Sequence, residues 1–512
     1  MEDDIQRPVG EPAALEGWAR AVLTLAARHE ECCELAVQRW RKNAWAGQAY
    51  SAHVKATRRL GAEHQQWVRA CRELGRAVLA YARDLRTWQD EFDAPVAGEL
   101  VDLKARVATG EGHFIAALEE AAATAEALTR DGPAPWWSAR SRTPPRLPAE
   151  VDGAGPREVA KWWRGLDEGA RSAALAEHGE GLGSLDGLPA AVRDEANRLS
   201  LAAGVLFASA KQRDGSLNAR EARSLKNSRA VEKALSGGED RALWLHDPGA
   251  HGGDGRVAIA SGDLDEADEV TLLVPGAGSE TSGVEGQVRR LERLLAAAQE
   301  AGAQDPAGLY WLAYDAPDGP TDPALRTTTR AEEGGEALAT AVEGLGATRA
   351  GDGWRLTTIG HSYGSTTVAT AAATWGLDVD AVALVGSPGA GPARTAEDLG
   401  VGANNVFVAR DSRDLVGTLG DEGWVGKSGQ GLGRDPSSDD FGAVRFRAER
   451  EEKEATWWLG DAHSGYFSDS SEALDNLGAI IAGRDELIEI AEHTYDPWWD
   501  APYDPEWGRR VR

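Results

Sequence analysis

The sequence predicts an α/β chain: a mostly parallel, doubly wound sheet from about residue 237 onward, preceded by an all-α helical hairpin or bundle domain. Three observations predict it. From about Pro12 to Thr129 the chain is rich in Ala, Leu, Glu and Arg, with apolar residues three and four apart and almost no proline. After Gly237 short β-rich runs alternate with Ala-rich helical stretches, as strands joined by crossover helices do. At 512 residues the chain is also long enough for two or three domains, at least one with a large buried sheet.

In the N-terminal part, Trp18 to Trp40 reads as a first helix and Val54 to Leu85 as a second, separated by Asn43-Ala44-Trp45-Ala46-Gly47. Glycine permits the tight turn there, and the indole can cover the open end of the hairpin. A third helix runs from about Gly98 to Thr129. Residues 131–157 carry Gly132-Pro133-Ala134-Pro135 and Thr143-Pro144-Pro145 and read as a linker. The resulting division is 1–130 helical, 131–157 linker, 158–236 a helical segment packing on or covering the α/β domain, 237–490 that domain itself and 491–512 a tail.

Composition removes several function classes. A formal net charge of -28 repels phosphate backbones and anionic membranes, so neither nucleic acid nor a membrane surface is expected as partner. No run is apolar enough to span a bilayer, and the acidic opening residues lack the apolar stretch of a Sec signal. Cys32, Cys33 and Cys71 read as free thiols, with a bridge to Cys71 as the alternative. No metal cluster or phosphate-binding loop is visible, so no cofactor is expected.

Seven strands are expected: Val257 to Ala260, Val270 to Val274, Leu309 to Tyr314, Leu356 to Ile359, Ala381 to Val385, Val406 to Ala409 and Val444 to Arg447. The chemistry centres on Gly360-His361-Ser362-Tyr363-Gly364. With 60 glycines in the chain such a pentapeptide means little by itself, but this one lies between a strand pattern and the small-residue helical run from Ser365 to Trp375. That places Ser362 on a strained strand-to-helix turn that lifts Oγ clear of the sheet. A serine needs a base, and of the histidines well downstream, His463 lies in a loop just beyond the last strand whereas His493 sits in the tail. His463 is therefore the expected base, and His361 is expected to pack beneath the turn. The acid that orients the imidazole should follow Val406 to Ala409; Asp414 is preferred and Asp411 is the alternative. For the oxyanion, Pro275-Gly276-Ala277-Gly278 follows an apolar strand, so the Ala277 N–H, beside Gly276, can join that of Tyr363.

Residues from about 158 to 485 resemble an actinobacterial α/β-hydrolase family classed as a domain of unknown function. The resemblance rests on Trp162-Trp163, Leu185-Asp186-Gly187-Leu188-Pro189 followed by Arg193 to Arg198, Val274-Pro275-Gly276, and Tyr314-Asp315-Ala316-Pro317. It continues through the segment around Ser362, Gly386-Ser387-Pro388-Gly389, Asp435-Pro436, Phe441-Gly442-Ala443, and His463-Ser464 before Tyr466. It implies an α/β-hydrolase fold and a triad of Ser362, an aspartate after the sixth strand and His463. The segment around Trp45-Ala46-Gly47 is similar to the WxG hairpin of type VII secretion substrates, although Tyr81 and Asp84 have the wrong spacing for the usual export signal.

These readings converge on a serine hydrolase that acts on a small-molecule or lipid-like ester, or an amide, through an acyl-enzyme. A different class of reading makes the helical module primary, directing type VII export, dimerisation or partner binding. A third has the fold bind without turnover. The expected location is the cytoplasm, or outside the cell by a type VII-like route.

Overall fold

The computed structural model describes scattered residues of 12–26, residues 48–93, 106–116 apart from 111, and 147–491 apart from 149, 214, 239, 320, 350–352, 415, 417–430 and 451–458. Trp45-Ala46-Gly47, Cys32, Cys33, His493 and the tail from 492 lie outside the described residues. The chain divides into two compact units, Met1–Arg142 and Thr143–Arg512.

In the first unit α1 (Gln48–Asp93) runs unbroken for 46 residues, longer than the second helix expected from sequence. Its C-terminal half buries Leu85 and Trp88 against Leu15, Tyr81, Phe92 and Val107. Tyr81 stacks on Phe114 at 4.3 Å between ring centroids. Cys71 is a free thiol, which burial pushes up to about 11.

The second unit is an α/β-hydrolase fold. Its sheet has eight strands in the order β1-β2-β4-β3-β5-β6-β7-β8. They are β1 (Arg241–Asp247), β2 (Arg256–Ser261), β3 (Glu269–Val274), β4 (Ala307–Leu312), β5 (Arg355–His361), β6 (Ala381–Val385), β7 (Val406–Ala409) and β8 (Val444–Phe446). Pairing is antiparallel at β1–β2 and β2–β4 and parallel from β4 through β8. Strands β4, β6 and β7 are buried along their full length, so they read as apolar runs and not as alternations. The sequence reading missed β1. Its Ala-Leu-Trp-Leu core has helix-forming residues, follows a helix directly, and carries a register shift between Leu243 and Leu245 that spoils alternation.

Residues expected as one helical stretch form four helices: α2 (Pro156–Gly165), α3 (Glu168–Leu182), α4 (Ala190–Arg213) and α5 (Ala219–Leu235). The motif residues of this segment clamp it to edge strand β1. Arg193 pairs with Asp186 at 2.6 Å, lies 3.2 Å from the Trp244 ring centroid and donates to the Trp244 carbonyl. Asn197 donates to the carbonyls of Gly183 and Leu243, and Asp194 accepts the Leu243 N–H. These bonds occupy polar groups at a place where a bare sheet edge would otherwise invite pairing with another chain. Trp163 is buried with Val151, Val159, Leu182 and Leu188, and Trp162 packs against them, so the paired tryptophans fill a small satellite core.

Helices α6 (Val284–Glu300), α7 (Thr329–Thr348), α8 (Tyr363–Trp375) and α10 (Glu472–Ile481) cover the sheet, with a short α9 (Leu459–Ser464) before the last. No helix among the described residues is long and apolar enough to cross a membrane.

Candidate active site

Parallel strands direct their carboxyl ends to one edge of the sheet, where crossover loops bring side chains from distant sequence together. Here that edge collects the turns after β3, β5, β6 and β7. Ser362 caps α8 directly after β5, with φ 55° and ψ -130°. A non-glycine residue with positive φ is strained by its Cβ, and such strain persists only where the surroundings hold it. The hold is visible: the Ser362 N–H donates to the Val385 carbonyl, and its carbonyl accepts from Ser365 N–H and Oγ. Gly276 in the turn after β3 lies against it. A methyl group there would come within 2.5 Å of Ser362 Cβ and 3.0 Å of its Oγ, so only glycine allows this approach.

His463 Nδ1 lies 2.9 Å from Asp414 Oδ2, with Asp414 fully buried. Both residues border the turn after β6, since a methyl group on Gly386 (φ 55°) would approach Asp414 Oδ2 at 2.9 Å and His463 Nδ1 at 3.2 Å. The same Asp414 oxygen accepts a 2.7 Å hydrogen bond from the Tyr466 hydroxyl, and Oδ1 accepts from the Val416 N–H. Burial alone would raise the Asp414 carboxyl; the bonds from His463, Tyr466 and Val416 and the proximity of His463 outweigh it and hold the group below the usual carboxylate range.

Asp411, the alternative acid, is occupied otherwise. Its carboxylate accepts from the Arg413 backbone N–H and guanidinium, and burial pushes it above its ordinary value despite that partner. Its backbone N–H donates to the Tyr466 oxygen at 2.9 Å. Buried Glu449 accepts from the N–H and hydroxyl of Ser412, which pins the 411–414 turn.

His361 ends β5 beneath the serine turn, as expected. Its ring lies 5.0 Å from that of His463, and Nε2 is 2.8 Å from the His463 carbonyl oxygen, an acceptor that requires the ring nitrogen to donate. Burial and the neighbouring His463 push His361 down to about 3, so it is neutral and tethers the backbone of His463. His463 itself stands in the short helix α9 and not in a loop as expected; six residues are too few to show helical periodicity.

Residues 250–421 match a family model described as "Alpha/beta hydrolase", a span that includes Ser362, Asp411 and Asp414 and ends before His463. Uncharacterized protein Rv2079 of Mycobacterium tuberculosis is 32% identical over 436 residues, covering 72% of this chain and 65% of that protein. The chain thus spans slightly less than two thirds of that relative. Uncharacterized protein Mb0988c of Mycobacterium bovis is 31% identical over 196 residues, which are 37% of this chain and 72% of that protein. The chain belongs to the same family as the latter. One similar solved structure is the Pyrobaculum calidifontis esterase in its monoclinic form, with 12% identity, 54% of this chain and 97% of that one covered, and a TM-score of 0.28. Another is a thermostable carboxyl esterase from Bacillus coagulans in complex with glycerol, with 19% identity, coverage of 30% and 46%, and a TM-score of 0.20.

In this α/β-hydrolase fold the loop after β3 is braced from the segment that follows β4. The Tyr314 hydroxyl donates to the Pro275 carbonyl at 2.6 Å, and the Gly278 N–H donates to the Pro317 carbonyl at 2.7 Å. The Tyr-Asp-Ala-Pro motif thereby shapes the segment beside Ser362. Gly278 has spent its donor, whereas among the described residues the N–H groups of Ala277 and Tyr363 meet no acceptor within the protein. Tyr363 sits at the first position of α8, where a helix leaves its N–H groups free and its dipole favours negative charge. Among the described residues no group of His, Cys, Asp and Glu is arranged to hold a metal.

Sequence reasoning missed Tyr466 as a site residue and underused His361. Tyr466 lies three residues beyond His463 in the 3-10 turn Gly465–Phe467, and in a segment read as a loop no spacing rule singles it out.

Proposed function

We propose that the protein is a serine hydrolase of ester or amide bonds. Ser362 Oγ attacks the substrate carbonyl carbon while His463 takes its proton; the tetrahedral oxyanion is held by the N–H groups of Ala277 and Tyr363, beside Gly276. The bond to the leaving group then breaks, His463 returns the proton to it, and water deacylates the enzyme by the same steps in reverse roles. Asp414 orients the imidazole and balances its charge. The observation that carries this reading is the strained backbone of Ser362, whose N–H bonds the Val385 carbonyl, next to the Gly386 turn that borders the 2.9 Å His463–Asp414 pair. Strain of this kind clusters at active sites, and a buried carboxylate bonded to histidine Nδ1 orients the ring and balances its charge as a general base. Of the two aspartates, the reading takes Asp414, because Asp411 is engaged by Arg413.

The test is labelling of the full chain by a fluorophosphonate probe. Ser362→Ala should abolish labelling and turnover of p-nitrophenyl acetate while the thermal unfolding curve stays close to that of the parent. Undiminished labelling in that variant would remove Ser362 from the reaction.

A further inference from the structure

The Tyr466 hydroxyl has two partners, and both belong to the turn that carries the acid. It accepts from the Asp411 N–H at 2.9 Å and donates to Asp414 Oδ2 at 2.7 Å, the same oxygen that faces His463 Nδ1 at 2.9 Å. Tyr466 is 1% exposed and its ring lies 6.2 Å from that of His361 in a T-shaped arrangement, so the hydroxyl is shielded from bulk solvent. A phenol with one donor pointed at its oxygen has its own proton directed away from that donor, here onto the carboxylate.

We infer that Tyr466 is a positioning residue of the hydrolase: its hydroxyl, oriented by the Asp411 N–H, fixes the rotamer of the Asp414 carboxylate and shares its negative charge with His463. The inference rests on the triad reading above and extends it to a fourth group. It also gives Asp411 a role, since that residue serves the site through its backbone and not its carboxylate. With Oδ2 held from two sides, His463 is presented in one orientation, with Nε2 left for the serine. And because part of the carboxylate charge is spent on the phenol, less is available to favour the protonated imidazole.

The other charged or titratable groups around this pair come from every neighbouring element: Arg413 on the turn itself, Glu449 and Arg450 after β8, His361 at the end of β5, and Arg290 of α6. Removing the Tyr466 hydroxyl leaves all of them in place.

The experiment measures the rate of fluorophosphonate labelling of the full chain from pH 5 to 9, resolved into kinact and KI. Tyr466→Phe should lower kinact about tenfold, the equivalent of ~1.4 kcal/mol, with KI unchanged, and should move the rising limb of the pH profile upward by about half a unit. Replacement of Tyr466 by 3-fluorotyrosine keeps shape and hydrogen bond but makes a more acidic donor, so the limb should move downward. That variant also decides the matter should Tyr466→Phe fail to fold. Folded Tyr466→Phe with parental kinact and an unmoved limb overturns the inference, as does an unmoved limb with 3-fluorotyrosine. Ser362→Ala serves as the separating arm. Labelling that persists there overturns the triad reading itself, whereas labelling lost there beside an indifferent Tyr466 overturns only this inference.

Discussion

Protonation of His361 should destabilise the hydrolase unit, and the size of the effect can be worked from its burial. The ring is 9% exposed, stacks on His463 and is pushed down to about 3 by burial first and by that neighbour second. An unfolded histidine takes up a proton near pH 6.5. Between those two values the unfolded chain binds a proton that the folded chain refuses. The group's contribution is therefore complete above about pH 6.5 and is lost as pH falls, at a slope approaching ~1.4 kcal/mol per pH unit, until the folded group titrates as well. Between pH 7 and pH 5 this amounts to about 2 kcal/mol. The assay is urea unfolding followed by tryptophan fluorescence at both pH values, for the parent and for His361→Gln, whose neutral amide can still donate to the His463 carbonyl. The parent should lose about 2 kcal/mol more than the variant over that range, because titration of all other groups is common to both. Equal losses would refute the reasoning and place a charged or solvated imidazole at 361.

Other perturbations separate the remaining assignments. Asp414→Asn should reduce turnover of p-nitrophenyl acetate by about 10³- to 10⁴-fold, while Asp411→Asn keeps most activity, because its contribution to Tyr466 comes from the backbone; the reverse ranking would show the acid to be Asp411. Gly276→Ala drives a methyl group within 2.5 Å of Ser362 Cβ and 2.8 Å of the His361 carbonyl. Such overpacking should cost ~1–3 kcal/mol in urea unfolding and slow fluorophosphonate labelling, and a variant unchanged in both would mean that the loop after β3 does not press on the serine.

The site was legible in the sequence to the extent that its chemistry is local. Ser362 could be placed because a glycine-flanked serine between an apolar strand and a small-residue helix leaves one local geometry, and that geometry is observed as a positive φ. The strands after residue 255 were legible because buried parallel strands are written as short apolar runs bounded by turn residues. β1 was not, since its Leu and Ala residues favour a helix and only pairing with β2 makes it a strand.

The acid shows where sequence stops. Asp411 and Asp414 are three residues apart, two and five residues beyond the end of β7, and the sequence prefers Asp414 only because it stands at a turn entering a helix. Tertiary packing gives them different partners, bringing Arg413 onto one carboxylate and His463 with Tyr466 onto the other. The same holds for His361, whose neutrality comes first from burial by the assembled fold and second from a histidine 102 residues further along the chain. By itself the sequence determined which residue types stand at the corners of strands. Which of them meet, and in what state of charge, is a property of contacts between segments far apart in the chain, and those exist only once the sheet has assembled.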